Sequence, residues 1–152
     1  MPVKRLVLLA AIGSAAVLLG AYAFQHIGGM PPCKLCLWQR WPHAAAALIG
    51  ALIVLTGEIR LAWLGAIAAL STAGIAAYHV GVEQGWWEGP TSCTSSGVSN
   101  VSAEDLLNQI LAAPLVRCDD IPWQMAGISM AGWNAILSVG LAVVWVAAAR
   151  RG

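Results

Sequence analysis

Two cysteines three positions apart are the residues of this sequence best suited to chemistry. Cys33 and Cys36 lie in the stretch PPCKLCLWQR (31–40), where Arg40 follows the second cysteine by four residues. A disulfide within a CxxC motif closes very little chain, so it adds little to stability. Its usual value is redox exchange between two thiols held close together. The motif therefore predicts a redox-active dithiol.

Arg40 adds a positive charge next to this dithiol. On a helix it would lie one turn beyond Cys36 on about the same face. There its guanidinium could stabilise a thiolate or donate hydrogen bonds to a ligand carbonyl. An arginine at a membrane boundary also serves as a plain interface anchor. Pro42 disfavours helical backbone at Trp41, and a helix that starts at Pro42 would remove the shared face.

Two further cysteines, Cys93 and Cys118, occur later in the chain. Four cysteines allow three pairings, of which the simplest joins Cys33 to Cys36 and Cys93 to Cys118. The second bridge would also serve as a structural staple worth about 3 kcal/mol in the chain-entropy model. Zinc bound by all four is a weaker alternative, because Cys93 and Cys118 do not form a CxxC-like knuckle. We expect no metal site.

Long apolar segments surround these residues. The 152-residue chain is 59% hydrophobic and 10% charged, whereas ordinary soluble domains carry roughly 25% charged residues. A helix of about 20 residues crosses roughly 30 Å of hydrocarbon. The sequence therefore predicts an all-α integral membrane protein with a single membrane domain over 1–152, folded as a four-transmembrane-helix bundle. Its helices are expected at 6–24, 38–56, 61–80 and 128–149.

The distribution of lysine and arginine orients these helices. Five of the eight basic residues would lie on the side that holds both termini, which are therefore expected in the cytoplasm. Loops 25–37 and 81–127 would then face the periplasm of a bacterial inner membrane, where disulfides form and persist. No cysteine falls inside an expected helix, so all four would lie in that compartment. No basic tract suggests nucleic acid as a partner.

The second loop contains a pattern of its own. The segment SAEDLLNQILAA (102–113) starts like a capping box and places its leucine and isoleucine side chains on one helical face. This predicts a short interfacial helix on the membrane surface or against the outer ends of the bundle. Small polar residues around Cys93 would leave it accessible to another protein, and we expect loop movement to bring Cys118 to Cys33.

The stretch FQHIGGMPPCKLCLWQR (24–40) resembles the DsbB family of bacterial inner-membrane thiol oxidoreductases. It shares FQH, the P-C-x-L-C motif and the arginine that follows. The resemblance continues at Tyr78 and His79, at WWEGPTSC (86–93), and at one further cysteine before the last helix. Gln39 stands where many members have Glu.

The resemblance implies a function. The chain would be a membrane thiol:quinone oxidoreductase that reoxidises a DsbA-like periplasmic thiol oxidase of thioredoxin fold. It would pass the electrons to the membrane quinone pool, as ubiquinone or menaquinone, and so sustain disulfide bond formation. Its partners would be that oxidase, the quinone and the membrane lipid.

The resemblance also implies roles for individual residues. Cys93 would form the mixed disulfide with the partner, and Cys118 would be the cysteine bonded to Cys93 beforehand. Cys33 would exchange with Cys118, and Cys36 would meet the quinone. The remaining two residues would lie at the quinone head group: Arg40 and His79.

Two other interpretations stay open. Relatives of vitamin K epoxide reductase also combine a four-helix bundle, a CxxC motif and a quinone, but they usually place the motif at the start of the last helix. Here it precedes the second. A non-catalytic membrane subunit with disulfide-stapled outer loops would have two inert cysteine pairs and would bind no quinone.

Overall fold

Four long helices dominate the computed structural model, which describes residues 1–90 and 116–152. One turn of 3-10 helix and a small antiparallel hairpin complete the described elements. The expected helical architecture is confirmed in this part of the chain, while the hairpin was not expected. The elements are α1 (Val3–His26), α2 (Lys34–Thr56), the 3-10 turn (Ile59–Leu61), α3 (Ala62–Glu83), β1 (Gln124–Met125), β2 (Ile128–Ser129) and α4 (Met130–Ala149).

Three stretches within the described residues are long and apolar enough to cross a membrane, namely Val3–His26, Ile59–Glu83 and Met130–Ala149. The α2 helix has 23 residues but does not meet the same criterion. Its first half carries four polar or charged side chains: Lys34, Gln39, Arg40 and His43. The polar part of α2 is also the part that contains the CxxC motif.

The bundle places small side chains inside and large apolar ones outside. Alanines on all four helices are almost completely covered, whereas leucine, isoleucine and valine side chains stand exposed along the helices. This arrangement suits lipid as a solvent, because small residues let helices approach closely and large apolar side chains lose nothing at a lipid-facing surface. Covered alanines include Ala10, Ala46, Ala62, Ala69 and Ala142; exposed residues include Leu9, Ile12, Leu48, Leu55, Ile67 and Val143.

Trp145 is the largest fully buried side chain in the described part of the chain. It lies on α4 and packs against Gly65 of α3, where an added Cβ would stand 2.6 Å from the indole ring. The glycine therefore sets how closely α3 can approach this ring. The core around Trp145 occupies the half of the bundle near the two chain termini.

The start of α2 differs from the expected position. The helix begins at Lys34 rather than at residue 38 and continues through Pro42. The expectation that no cysteine lies in a helix is therefore wrong for Cys36. The reason is local, because the Sγ atom of Cys33 caps the helix by accepting the backbone N–H of Cys36 at 3.1 Å, as serine and aspartate oxygens do elsewhere.

Two expectations lie outside the described residues. The short interfacial helix at 102–113 and the position of Cys93 both fall within 91–115. Before that gap, α3 ends at Glu83. After it, the described chain begins again at Val116, which packs near the C-terminal end of α3.

Candidate thiol redox site

The two cysteines of the CxxC motif are free thiols in close contact. Cys33 donates its S–H to Cys36, with 2.7 Å between the two sulfurs. This hydrogen bond, together with burial, raises the pKa of Cys33 well above its ordinary value. Cys33 therefore keeps its proton, and the sulfur of Cys36 accepts the hydrogen bond. Both sulfurs lie at the N-terminal end of α2, where the helix dipole favours negative charge.

Cys118 lies beside this dithiol. It takes part in a disulfide, and neither Cys33 nor Cys36 is its partner. Its side chain is buried in one cluster with Cys33, Leu35 and Val82. The loop movement expected to bring Cys118 to Cys33 is thus not needed, because Cys118 already packs in the cluster. The site holds a reduced dithiol and an oxidised cysteine side by side.

His79 contacts both Cys33 and Cys118. Its Nε2 atom lies 3.2 Å from the backbone oxygen of Cys118 and 3.6 Å from the Sγ atom of Cys33. The ring is almost fully buried. The resemblance implied that His79 lies at a quinone head group; in the structure its Nε2 atom lies against Cys33 and the backbone of Cys118, and the residue also lines a cavity.

Two backbone carbonyls, which can only accept hydrogen bonds, decide which ring nitrogen of His79 carries the proton. The Nε2 amide of Gln39 donates to the oxygen of Leu35 at 3.2 Å, so this end of the amide is the nitrogen, and it lies 3.0 Å from Nδ1 of His79. Nδ1 must therefore accept. A neutral imidazole has one donor and one acceptor, so the proton is on Nε2, where the carbonyl of Cys118 accepts it.

The position of the proton on His79 also decides whether this histidine can bind a metal. The sulfurs of Cys33 and Cys36 and a ring nitrogen of His79 all lie within 4.8 Å of one another, which is a donor set that zinc accepts. A metal ligand needs an unprotonated nitrogen. With its proton on Nε2, His79 offers the dithiol a hydrogen-bond donor rather than a lone pair.

Glu83 is a residue of this site that the sequence analysis missed. Its side chain is 3% exposed and one oxygen lies 3.9 Å from Nε2 of His79. The hydroxyl of Ser129 donates to the other oxygen. Ser129 in turn caps α4, since its Oγ atom accepts the N–H of Gly132 at 3.1 Å. The i, i+4 spacing of His79 and Glu83 was the signal that could have revealed the pair.

Arg40 lies one turn beyond Cys36 on α2 and is held from α1. Its Nη1 atom donates to Oε1 of Gln25 at 2.6 Å, and its guanidinium carbon lies 4.7 Å from the ring centre of Tyr22. Nη2 reaches the backbone oxygen of Ala21 at 3.4 Å. The Nε atom is buried and has no partner among the described residues. Arg40 is thus held by its two terminal nitrogens and by the ring of Tyr22.

A cavity of about 550 Å³ lies along this part of α2. Its polar wall contains Cys36, Arg40, His43, Glu83 and Asn134, and most of the remaining wall is apolar. Protein sites for small organic ligands have this size and this character. An organic ligand in this cavity would lie next to the second cysteine and the arginine.

The structure thus gathers five of the six predicted site residues at one end of the bundle. The sixth, Cys93, lies outside the described residues. A bundle of apolar helices with a dithiol next to a disulfide defines a class of protein, the membrane-embedded thiol–disulfide oxidoreductases.

The family follows from comparison with known proteins. Residues 3–148 match the family described as Disulfide bond formation protein DsbB, and the chain belongs to this family. It is therefore a helical protein of the inner membrane that acts in disulfide bond formation.

Several curated relatives carry the name Disulfide bond formation protein B. The protein of Albidiferax ferrireducens is 27% identical over 97% of this chain and 91% of its own length. The protein of Verminephrobacter eiseniae is 31% identical over 98% and 87%. The protein of Methylococcus capsulatus is 33% identical over 84% and 82%.

Proposed function

We propose that this protein is a thiol:quinone oxidoreductase that reoxidises a DsbA-like periplasmic dithiol oxidase and reduces a membrane quinone. One relationship carries the proposal. The dithiol lies between two environments, because Cys33 packs against His79 and Cys118 while both cysteines also line the cavity that Arg40 lines. Electrons that arrive at Cys118 from water-soluble thiols can thus leave through Cys36 to an apolar ligand.

The proposed electron path has three balanced exchanges. The partner's dithiol gives two electrons and two protons to a Cys93–Cys118 disulfide, which becomes a dithiol as the partner gains its disulfide. That dithiol reduces a Cys33–Cys36 disulfide in the same way and is itself reoxidised. Cys33 and Cys36 then form their disulfide again and release two electrons and two protons. The closeness of Cys33, Cys36 and Cys118 supports this path, because exchange between two cysteine pairs needs their sulfurs to be neighbours.

The residues present fit a quinone. The cavity is apolar over most of its wall, and Arg40 contributes a charged donor group to that wall, with its guanidinium held in place by Gln25. A quinone carbonyl oxygen is an acceptor for such a group. A quinone supplies an acceptor of two electrons and two protons that lives in the lipid phase. An acceptor of high potential is required, because DsbA itself is a strong oxidant at about −120 mV.

The chain's own residues prepare the third exchange. The S–H of Cys33 donates to Cys36, so negative charge concentrates on the sulfur that borders the cavity. His79 donates to the carbonyl of Cys118 and approaches Cys33, which keeps the two cysteines adjacent. The four-span topology, cytoplasmic termini and periplasmic loops expected from the sequence belong to the same proposal, since a soluble partner must be able to attack the Cys93–Cys118 disulfide at Cys93.

Steady-state quinone reduction tests the proposal. Purified protein in detergent is given a reduced thioredoxin-fold dithiol oxidase and either ubiquinone or menaquinone, and the quinone absorbance is followed. We expect turnover that requires the dithiol and is lost in Cys36→Ser. Cys36→Ser should still form a mixed disulfide with the partner, which serves as the control for folding. Absence of turnover with either quinone, from folded protein, would contradict the proposal.

A further inference from the structure

Asn134 lies on α4 at the point where α2, α3 and α4 meet. Its Nδ2 atom lies 2.6 Å from Oε1 of Gln39 on α2 and 3.3 Å from Oγ1 of Thr72 on α3. Gln39 and Thr72 are both buried. The other end of the Gln39 amide contacts Nδ1 of His79. Only one side chain therefore separates Asn134 from the histidine beside the thiols.

A backbone carbonyl fixes the direction of the Asn134 amide. The hydroxyl of Thr72 donates its only hydrogen to the backbone oxygen of Gln39 at 3.2 Å, so Oγ1 of Thr72 can only accept from Asn134. The atom that faces Thr72 is therefore the amide nitrogen of Asn134, and this nitrogen also donates to Oε1 of Gln39. The amide oxygen of Asn134 faces the other way, where Nε2 of His43 lies at 2.9 Å and the hydroxyl of Ser138 donates at 3.2 Å.

The donor on Asn134 opposes a reversal of the Gln39 amide. In the observed direction, Gln39 presents its amide nitrogen to the carbonyl of Leu35 and to Nδ1 of His79. If the amide turned over, this nitrogen would face the amide nitrogen of Asn134, and two donors would then lie against each other without an acceptor. Asn134 therefore holds the Gln39 amide in the direction that makes Nδ1 of His79 an acceptor.

We propose that Asn134 sets the tautomer of His79 through Gln39 and so acts as a positioning residue for thiol–disulfide transfer. The inference rests on the second exchange of the proposed function. There the S–S bond of the CxxC pair breaks, an S–S bond forms in the Cys118 pair, and two electrons and two protons pass to the CxxC pair. With its proton on Nε2, His79 bonds to the carbonyl of Cys118 and holds that cysteine next to Cys33. The other tautomer would turn a lone pair toward the same carbonyl and release Cys118.

Imidazole ¹⁵N shifts of the full chain in detergent measure the tautomer of His79. Asn134→Leu removes the donor to Gln39, and Asn134→Ala removes it without adding volume. In both variants the ratio of Nε2-protonated to Nδ1-protonated imidazole should fall by about two- to tenfold, the size of one hydrogen bond. Ser138→Ala is the matched control and should leave the ratio unchanged. Ser138 is buried one turn further along α4 and bonds to the amide oxygen of Asn134, to which His43 also bonds.

Thiol–disulfide transfer without quinone is the second measurement. Fully oxidised protein is mixed with a reduced thioredoxin-fold dithiol oxidase, quenched in acid and alkylated, and mass spectrometry follows the reduction of the CxxC disulfide. Asn134→Leu should slow this reduction by about two- to tenfold, while Ser138→Ala should stay within twofold. Residues that act through one another have non-additive effects. The double variant Asn134→Leu with Gln39→Leu should therefore be no slower than Gln39→Leu alone.

Two results would overturn the role of Asn134. One is an unchanged tautomer ratio of His79 in both Asn134 variants. The other is additive slowing in the double variant with Gln39→Leu, which marks a purely structural effect. Absence of transfer in the unsubstituted protein would instead overturn the proposed function, and the ¹⁵N shifts would still decide whether Asn134 sets the tautomer.

Discussion

Gln39 donates a hydrogen bond to His79 across the α2–α3 interface, with 3.0 Å between Nε2 and Nδ1. The bond makes His79 a donor at its other nitrogen, where it reaches the carbonyl of Cys118. A glutamine is needed for this direction, because a carboxylate could only accept from Nδ1. The direction explains how His79 can hold Cys118 next to Cys33 without taking the thiol proton of Cys33.

Gln39→Leu should therefore disturb the transfer between the two cysteine pairs. Without the donor at Nδ1, the ring is free to take the other tautomer and loses its bond to Cys118. We expect transfer from a Cys93–Cys118 dithiol to the CxxC pair to slow by about two- to tenfold, with the ¹⁵N shifts of His79 showing a mixed tautomer. Ser71→Ala is the control, because Ser71 on α3 is exposed and, among the described residues, bonds only to Ile67 in its own helix. Equal rates in both variants would contradict this role.

The hydrogen bond between the two cysteines predicts a pH effect. It is the largest cause of the raised pKa of Cys33, so Cys33 is protonated at neutral pH and iodoacetamide should modify Cys36 first. Removing the acceptor in Cys36→Ala lowers the pKa of Cys33 toward its ordinary value, although burial keeps part of the shift. The pH at which Cys33 becomes reactive should then fall, as measured by alkylation and mass spectrometry. A midpoint that stays in place or rises would show that the hydrogen bond is not the cause.

Arg40 is expected to act on quinone use rather than on partner binding. Arg40→Ala removes a charged donor, which is worth roughly tenfold to a hundredfold in affinity. We expect the KM for quinone to rise by that factor and the KM for the dithiol partner to stay within twofold. Gln25→Ala should have a smaller effect of the same kind, because it removes only the partner that holds Nη1. An unchanged KM for quinone in Arg40→Ala would count against the assignment.

Two glycines of α3 form a matched pair for stability. An added methyl at Gly65 would press into the indole ring of Trp145, whereas at Gly74 it would meet nothing within 4 Å. Gly65→Ala should destabilise the protein by about 1–3 kcal/mol through overpacking. Gly74→Ala should be neutral or stabilising by up to about 1 kcal/mol, because alanine is the better helix former. Thermal unfolding in detergent measures both, and similar effects would contradict the close contact.

Local sequence patterns predicted part of the candidate site. The spacing of Cys36 and Arg40 predicted a shared helical face, and the helix through Pro42 bears this out. Sequence spacing could not show that Cys33 caps the helix, because the second helix was expected to begin only at residue 38. It also did not reveal the hairpin before α4, which turns at Ala126, a non-glycine residue with φ of 54°.

The hydrogen-bond network around Gln39 could not be predicted from the spacing of residues along the sequence. Gln39 is 95 residues from Asn134 and 40 from His79, and nothing along the chain indicates that these amides meet. Gln39 stood out in the sequence only as a departure from a family pattern. Its role follows from the directions of its hydrogen bonds, which depend on the packing of α2 against α3 and α4.

The most direct test of the central claim is a single turnover. Protein reduced at Cys33 and Cys36 and freed of reductant is mixed under argon with one equivalent of ubiquinone, or of menaquinone, without any partner protein. The account predicts one hydroquinone per protein and a new Cys33–Cys36 disulfide, with no hydroquinone from Cys36→Ser. A dithiol that stays reduced beside unreacted quinone, in folded protein, would contradict it.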